Sequence, residues 1–394
     1  MTLKSTGSTR SDNGNQDTKV ISMEAFASRL EPTDAVLDVL MRQLGGGIKS
    51  VGRMETKWRE RQLAIMSDTV GAAGAAIAAT SIPVANPTAY HLDQQIMAPR
   101  TGDMFFVDEE IGGTAVAGKV KVRGKTGAGG ITYALVSGDV LLIGPESHAE
   151  GEDIPPAFAN DEVTKTTYVF QTDETIKITD IMDAEEVYGD KEIVAQRKDK
   201  MKEQLKRLCL AYYTSLGGRE IVSASGKRRH TMTGIFEYLA SQVTDASAIQ
   251  GGLTLQTIGA ALRPCTIYGQ SLSQKVFLAG QNAFESICAM PMNALREDTG
   301  NSKSWGVTVR TLITPYGDLP VVHEPLFSAE NGMAGEAVCL QKDKIQQIQL
   351  RGKPLVHMTN VQAKRDVHNI EDLYTGTRGI RMMNVELSRR IKNI

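Results

Sequence analysis

The sequence predicts an α+β protein, and three observations predict it. Residues 190–218 carry a helical apolar period with no proline inside it. The region before, about 95–180, breaks into short β-prone runs punctuated by glycine and proline. The region after, from Leu253 onward, alternates helical and strand-like segments. A chain of 394 residues has room for two or three domains and a large core.

The long helix organises the rest. Val194, Met201, Leu205, Leu208, Tyr212 and Leu216 follow one another at steps of seven, four, three, four and four, which keeps them on one stripe. Lys198, Lys202, Glu203, Lys206 and Arg207 cover the other faces, with Glu203 and Arg207 in the favourable i,i+4 order. Asp190 is a suitable N-cap, and Glu192 adds negative charge in the first turn. Gly217 and Gly218 offer a left-handed C-cap. Some 27 residues at ~1.5 Å each span roughly 40 Å. With this stripe as core, a lysine at Leu205 is expected to prevent folding, because it buries an unpaired charge.

In chain order, residues 1–20 are rich in Ser, Thr, Asn, Asp and Gly, a composition that builds no core of its own. Residues 33–44 form a short helix capped by Thr33, with Val36, Leu37, Leu40, Met41 and Leu44 on its apolar face, and Gly45 to Gly47 break it. Residues 50–63 are dense in charge around Trp58. This is either a solvated strand or an arm lying across a neighbouring subunit. In the second case Trp58 is the aromatic anchor, and Arg53, Glu55, Arg59 and Arg61 are polar contacts. An anchoring Trp58 would make Trp58→Ala harmful to assembly but not to the subunit fold.

Residues 71–83 are Ala-rich and fit no single pattern. Strands are expected at 104–107, 118–123, 131–136, 139–143, 166–170 and 175–179. After the helix come a basic polar loop at 223–230, an ordered segment at 231–240 and a linker at 241–252. Helices at 254–263 and 281–290 then alternate with strands at 275–279, 310–314, 320–323, 337–340 and 345–350, and residues 376–386 with a basic end close the chain.

Composition removes several function classes. Lys plus Arg total 44 and Asp plus Glu 46, so a net charge of −2 leaves no basic footprint for direct nucleic-acid recognition. The four cysteines form no CxxC pair, which excludes a zinc ribbon or thioredoxin motif and fits a reducing compartment. No apolar run has transmembrane length, and the polar start has no signal-peptide h-region.

No motif builds an active site. Gly124-Lys125-Thr126 looks like the end of a phosphate-binding loop, but the required earlier glycine falls one residue out, at Gly118 instead of Lys119. A lysine-rich hairpin turn explains it. His91, His148, His230, His323, His357 and His368 show neither HxH nor HExxH spacing, and there is no GxSxG elbow. The acidic groups Asp183, Glu185, Glu186 and Asp190, and Glu150, Glu152 and Asp153, read as solvated faces. No catalytic, cofactor-binding or metal-ligating residue is therefore assigned, and no cofactor is expected.

The order of parts is the informative signal. SGDVLLIGPESHAEGEDIPP (137–156), YVFQTDETIKITDIMDAEEVYG before the helix, RRHTMTGIFEYL after it and TPYGDLPVV (314–322) occur in sequence. Together they resemble tailed-bacteriophage major capsid proteins of the HK97 fold, the SU10-like family, over about 33–385. The resemblance implies a shell subunit and no enzymatic activity. Its parts would be an N-terminal arm (1–32), a charged arm with a β-rich extended loop or insertion (33–180), a spine helix and peripheral domain (181–250), an axial α/β domain (251–345) and C-terminal strands returning to the peripheral domain (346–394). It also implies self-assembly into hexamers and pentamers of an icosahedral or prolate head, made in a bacterial host's cytoplasm. Scaffolding, decoration and portal proteins would be partners, packaged double-stranded DNA would be enclosed without sequence-specific contact, and no membrane would be involved. Two other readings remain at this stage: an encapsulin-like compartment shell, and an enzyme with a dispersed metal or phosphate site.

Overall fold

The computed structural model describes residues 36–44, 47–61, 66–108, 118–126, 129–147, 150, 162–185, 192–222, 226–248, 253–267, 271–290, 295–297, 309–361 and 369–394. The expected N-terminal arm, the Thr33 and Asp190 caps, Gly45 and Gly46, His148, Glu152, Asp153, Glu186 and His368 lie outside these residues. The chain divides into two compact units, one of residues 1–58 with 165–394 and one of residues 59–164.

In the first unit a seven-stranded mixed sheet runs in the order Val243–Asp245, Arg389–Lys392, Ala337–Gln341, Lys275–Ala279, Gly317–His323, Val309–Thr314 and Leu295–Glu297. Its central strand is buried at every position. The side-chain alternation of a strand splits such a run between two layers. Val276 and Leu278 face one cluster with Leu208, Tyr212, Tyr213 and the short helix α1 (Val36–Leu44). Phe277 and Ala279 face the other, with Ile258, Leu262, Ala283 and Ile287. One residue of this strand is polar. Lys275 is fully buried, and its Nζ donates to Gln341 Oε1 (2.9 Å) and the Leu387 carbonyl (2.6 Å). Burial lowers its pKa, and the two acceptors satisfy it.

A second sheet is built on one 14-residue strand, Asn369–Met382. It pairs antiparallel with Phe170–Thr179 over ten registered positions and with Ile345–Leu350 on its other side. After Asp180–Ala184 (α2), the long helix α3 (Glu192–Thr214) packs on this sheet. Ile193 joins Ile176, Ile178 and Tyr374 in a small core. Gly217 adopts φ +61°, the left-handed conformation its sequence predicts beyond the helix end.

The buried face of α3 keeps Leu208 and Tyr212 of the predicted stripe but not Val194, Met201 or Leu216. Val194, Met201 and Leu216 are exposed and Leu205 is half-buried, while Ile193, Gln204, Leu208, Cys209, Tyr212 and Tyr213 are buried. In its first half the helix meets the sheet through polar groups. Arg197 Nε pairs with Asp372 Oδ2 (2.5 Å), and Gln204 Nε2 reaches the Tyr374 carbonyl (3.4 Å). Those contacts rotate the inner face away from Val194 and Met201. Leu205 is half-buried, so a lysine there can run its stem along the helix to water, and destabilisation short of unfolding is the outcome this geometry predicts.

Three further expectations are corrected. Arg228, Arg229 and His230 of the expected basic loop are strand, paired antiparallel with Arg219–Val222. Part of the expected linker, Val243–Asp245, is an edge strand parallel to residues 390–392. The expected strand at 131–136 is irregular. Its Thr132 and Tyr133 N–H groups donate to the buried Asp103 carboxylate (2.6 and 3.1 Å), and its other backbone bonds reach Ala75, Ala78 and Ala79 at separate points. With its donors diverted, no ladder forms.

The second unit is a small antiparallel barrel. Its strands run Ser67–Thr69, Val140–Glu146, Gln94–Ala98, Asp103–Val107, Lys119–Gly124 and Ser81–Pro83. The first and last are joined by a Val70–Val84 bridge, Gly71 N to Pro83 O (2.8 Å) and Ala85 N to Thr69 O (3.1 Å). Closure removes the sheet edges. Ile82, Ile96, Phe105, Val107, Val120, Val122 and Leu141 fill the interior. Asp68 is buried but accepts from Tyr90 Oη (3.1 Å), Asn86 N (3.0 Å) and Asn86 Nδ2 (3.1 Å). The chain enters this unit along Glu55–Arg61 and leaves along Glu162–Tyr168, two strands that pair with each other.

Candidate subunit-contact site

The charged arm is a strand, Glu55–Arg61, and its residues alternate strictly. Glu55, Lys57, Arg59 and Arg61 face water, while Thr56, Trp58 and Glu60 turn inward. The exposed side is organised by one acceptor. Arg59 Nη1 and Arg61 Nη2, two residues apart on the same face, hold the two oxygens of Glu162 at 3.2 and 3.0 Å. Lys57 pairs with Glu55 at 3.0 Å. Arg53 is exposed in the turn before the strand. Pairs of this exposure contribute ~0–1 kcal/mol each to the fold. Their chemistry suits reversible contact with an oppositely charged surface.

Trp58 is placed differently from its expected role. It is 9 % exposed, and its ring lies 6.5 Å from that of Tyr238 in the same chain. Tyr238 Oη in turn reaches the Ile380 carbonyl (3.4 Å). Trp58 thus packs within its own chain, which accounts for its burial without a neighbouring subunit. A lone tryptophan among charges signals burial, but the sequence does not say in which chain.

The spine is closed by the segment after it. Thr231 Oγ1 donates to the Gly217 carbonyl (2.8 Å), and Gly218 N donates to Thr233 Oγ1 (2.8 Å). Gly234 N donates to the Ser215 carbonyl (2.9 Å). A Cβ at Gly234 would stand 2.7–2.8 Å from Ser215 O, Ser215 N and Tyr213 O, so only glycine fits. This gives the TMTGI run its physical content: it ties off the carbonyl end of α3. The sequence displayed these residues, but only the fold shows what they close on.

Three buried acids sit near α3, and the first, Asp38, accepts from Gln347 Nε2 (2.7 Å) and pairs with Arg42 (2.8 Å). Asp372 collects Arg197, His357 Nε2 (3.3 Å) and Asn360 N (3.0 Å). Burial works to raise its pKa, but the Arg197 bond leads the opposing contributions and holds it below the usual carboxylate value. Glu324 is fully buried, accepts from Tyr213 Oη (2.8 Å), and is pushed up to about 7 by desolvation. Of the four described histidines, His230 stacks on Tyr168, His323 lies against Phe284, His357 stacks on Tyr374, and His91 donates its backbone N–H to Gln94 Oε1 (3.0 Å). Among the described residues no three His, Cys, Asp or Glu side chains converge on a metal position. The cavity between α1 and the seven-stranded sheet is lined by Leu37, Leu40, Met41, Val276, Leu278, Leu340 and Ile345, with Lys342 at its rim. It lacks the convergent polar groups that orient a substrate.

Comparison with known proteins gives a consistent answer. The family model described as SU10 major capsid protein matches residues 5–394. The capsid of cyanophage A-1(L) is similar in structure at 8 % identity, covering 96 % of this chain and 98 % of that one with a TM-score of 0.53. The capsid of cyanophage P-SCSP1u is similar at 7 % identity, covering 99 % of each chain with a TM-score of 0.50. At such identity these two likenesses speak for a shared fold, the HK97-like one. No curated protein matches the chain.

Proposed function

The chain belongs to the SU10 major capsid protein family, and from that membership we propose that it builds a phage head from hexamers and pentamers around packaged double-stranded DNA. That the protein is a structural shell component follows from the family; the capsomer composition, the cargo and synthesis in a bacterial cytoplasm are our reading. The single observation that carries it is the match of that family over residues 5–394.

The parts take roles accordingly. Residues 1–32 act as an arm, the inserted barrel as the extended-loop region, and α3 as the spine of a peripheral domain. The seven-stranded sheet, which takes in the last strand Arg389–Lys392, forms the axial domain, and the strand Asn369–Met382 returns to the peripheral one. Arg53, Glu55, Arg59 and Arg61 contact the next subunit through charge, without Trp58. Scaffolding, decoration and portal proteins are the remaining partners in this reading. A net charge of −2 lets many copies approach without strong mutual repulsion. Heterologous contacts that close around rotation axes then give rings, and rings on a curved lattice give a shell.

Electron microscopy of the purified chain with its size-exclusion profile tests this. Polyhedral particles, capsomer rings or tubes are expected. A discrete dimer or tetramer at high concentration would refute the proposal.

A further inference from the structure

The two compact units of the chain carry opposite charge. Residues 59–164 hold 7 of the 44 Lys and Arg but 14 of the 46 Asp and Glu, a net −7. The other unit therefore carries +5 within a chain total of −2.

Part of that positive excess gathers at one corner of the sheet built on Asn369–Met382. Strand Ile48–Val51 runs parallel beside Ile345–Leu350, with Lys49 opposite Ile348 and Val51 opposite Leu350. Parallel strands end on the same side. The turns that follow them, with Arg53 in one and Arg351 and Lys353 in the other, therefore leave the sheet together. Arg351 N donates to the Val51 carbonyl (2.9 Å) and fastens the two. Lys353 N donates to the Leu350 carbonyl (3.1 Å), and its own carbonyl accepts from Thr377 N (3.2 Å) and Thr377 Oγ1 (2.8 Å). The backbone beneath the corner is thus fixed, while Lys49, Arg53, Arg351 and Lys353 are all exposed.

Among the described residues none of these four side chains has a hydrogen-bond or ion-pair partner. Glu55, two residues beyond Arg53, is taken by Lys57 (3.0 Å). Exposed arginines elsewhere are paired: Arg59 and Arg61 with Glu162, Arg100 with Asp139 and Arg207 with Glu174. Like charges gathered on a fixed backbone repel one another. An acidic occupant relieves that repulsion and has little backbone to order on arrival.

The chain itself supplies such an occupant. The barrel unit is acidic with its own Lys119, Lys121, Arg123 and Lys125 already counted. Heterologous contacts in a shell set one part of a copy against a different part of the next, so the opposite signs of the two units attract between copies. Nucleic acid fits less well, because four cations on a chain of net charge −2 make no extended basic footprint.

We infer that the corner formed by Lys49, Arg53, Arg351 and Lys353 is a docking surface for the acidic barrel unit of a second copy of this chain. The inference rests on the shell reading above and adds which surfaces meet.

The test mixes ordinary and heavy-nitrogen-labelled full-length subunits, assembles them and treats the particles with a carbodiimide, which joins a lysine amine to a carboxylate in contact with it. Mass spectrometry should find Lys49 or Lys353 joined to an Asp or Glu of residues 59–164 in pairs of mixed isotope. Links within one copy only, links to acids outside that range, or no link at either lysine would overturn the inference while the shell reading stands. The double variant Arg351→Glu, Lys353→Glu should keep the wild-type circular dichroism and lower particle yield about tenfold or more, because like charges then face each other. Particles at normal yield would overturn the inference, including particles that form normally but hold less nucleic acid. If the double variant does not fold, the cross-linking result decides. Failure of the unmodified chain to form any particle would overturn the shell reading and this inference with it.

Discussion

Replacing Glu324 with Gln should remove most of one acid's contribution to the pH dependence of subunit stability. Glu324 is fully buried, with Oε2 accepting from Tyr213 Oη at 2.8 Å and Oε1 facing Leu326 N at 3.4 Å. Desolvation raises its pKa to about 7, against 4.5 for a free glutamate, although both hydrogen bonds work to lower it. Between those two values the folded chain holds a proton that the unfolded chain has released. Stability is therefore complete below the unfolded pKa and falls as pH rises through the folded one. A gap of about 2.5 units at ~1.36 kcal/mol each is a loss of about 3 kcal/mol between acid pH and pH 8. Glutamine keeps a carbonyl oxygen for Tyr213 and has no charge to desolvate. Urea unfolding of unassembled subunits at pH 5 and pH 8 measures the effect, and groups common to both proteins cancel in the difference. Wild type should lose about 2–3 kcal/mol more than the variant over this range, since pH 5 already lies above the unfolded pKa. Parallel pH profiles for the two proteins would refute the claim that Glu324 titrates in the folded subunit.

Four other substitutions probe the packing. Gly234→Ala places a Cβ against the Ser215 and Tyr213 backbone at 2.7–2.8 Å and should cost about 1–3 kcal/mol, as overpacking does; an unchanged melting temperature would show that the turn yields freely. Leu208→Ala, in the main core, should cost about 2–5 kcal/mol. Met201→Ser, on the exposed side of the same helix, should stay within about 0.5 kcal/mol, and equal effects in denaturant titrations would restore the stripe read from sequence. Trp58→Ala should destabilise the subunit itself by about 3–5 kcal/mol, because the ring is buried in its own chain; a normal subunit melt with failed assembly would return Trp58 to an intersubunit role.

Much of the fold could be read from local signals, and the reason is physical. Lys275–Ala279 was readable because a strand buried at every position is apolar nearly throughout. The helix Leu255–Leu262 was readable because Thr254 begins a reciprocal cap with Thr257. The 14-residue strand Asn369–Met382 was not, since it pairs on both sides and keeps glycine where another backbone passes close. A Cβ on its Gly376 would stand 2.5 Å from the Leu355 Cα, and no periodicity announces such a contact. The register of α3 was misread for a related reason. A helix stripe shows which residues are apolar, but the inner face of its first half is fixed by Arg197 and Gln204 bonding across to Asp372 and Tyr374, more than 160 residues along the chain.

The candidate contact site divides along the same line. Arg59 and Arg61 stood out as charges on one strand, and pairing with Glu162 accounts for both within the chain. Trp58 stood out because it was alone, and burial against Tyr238 accounts for it too.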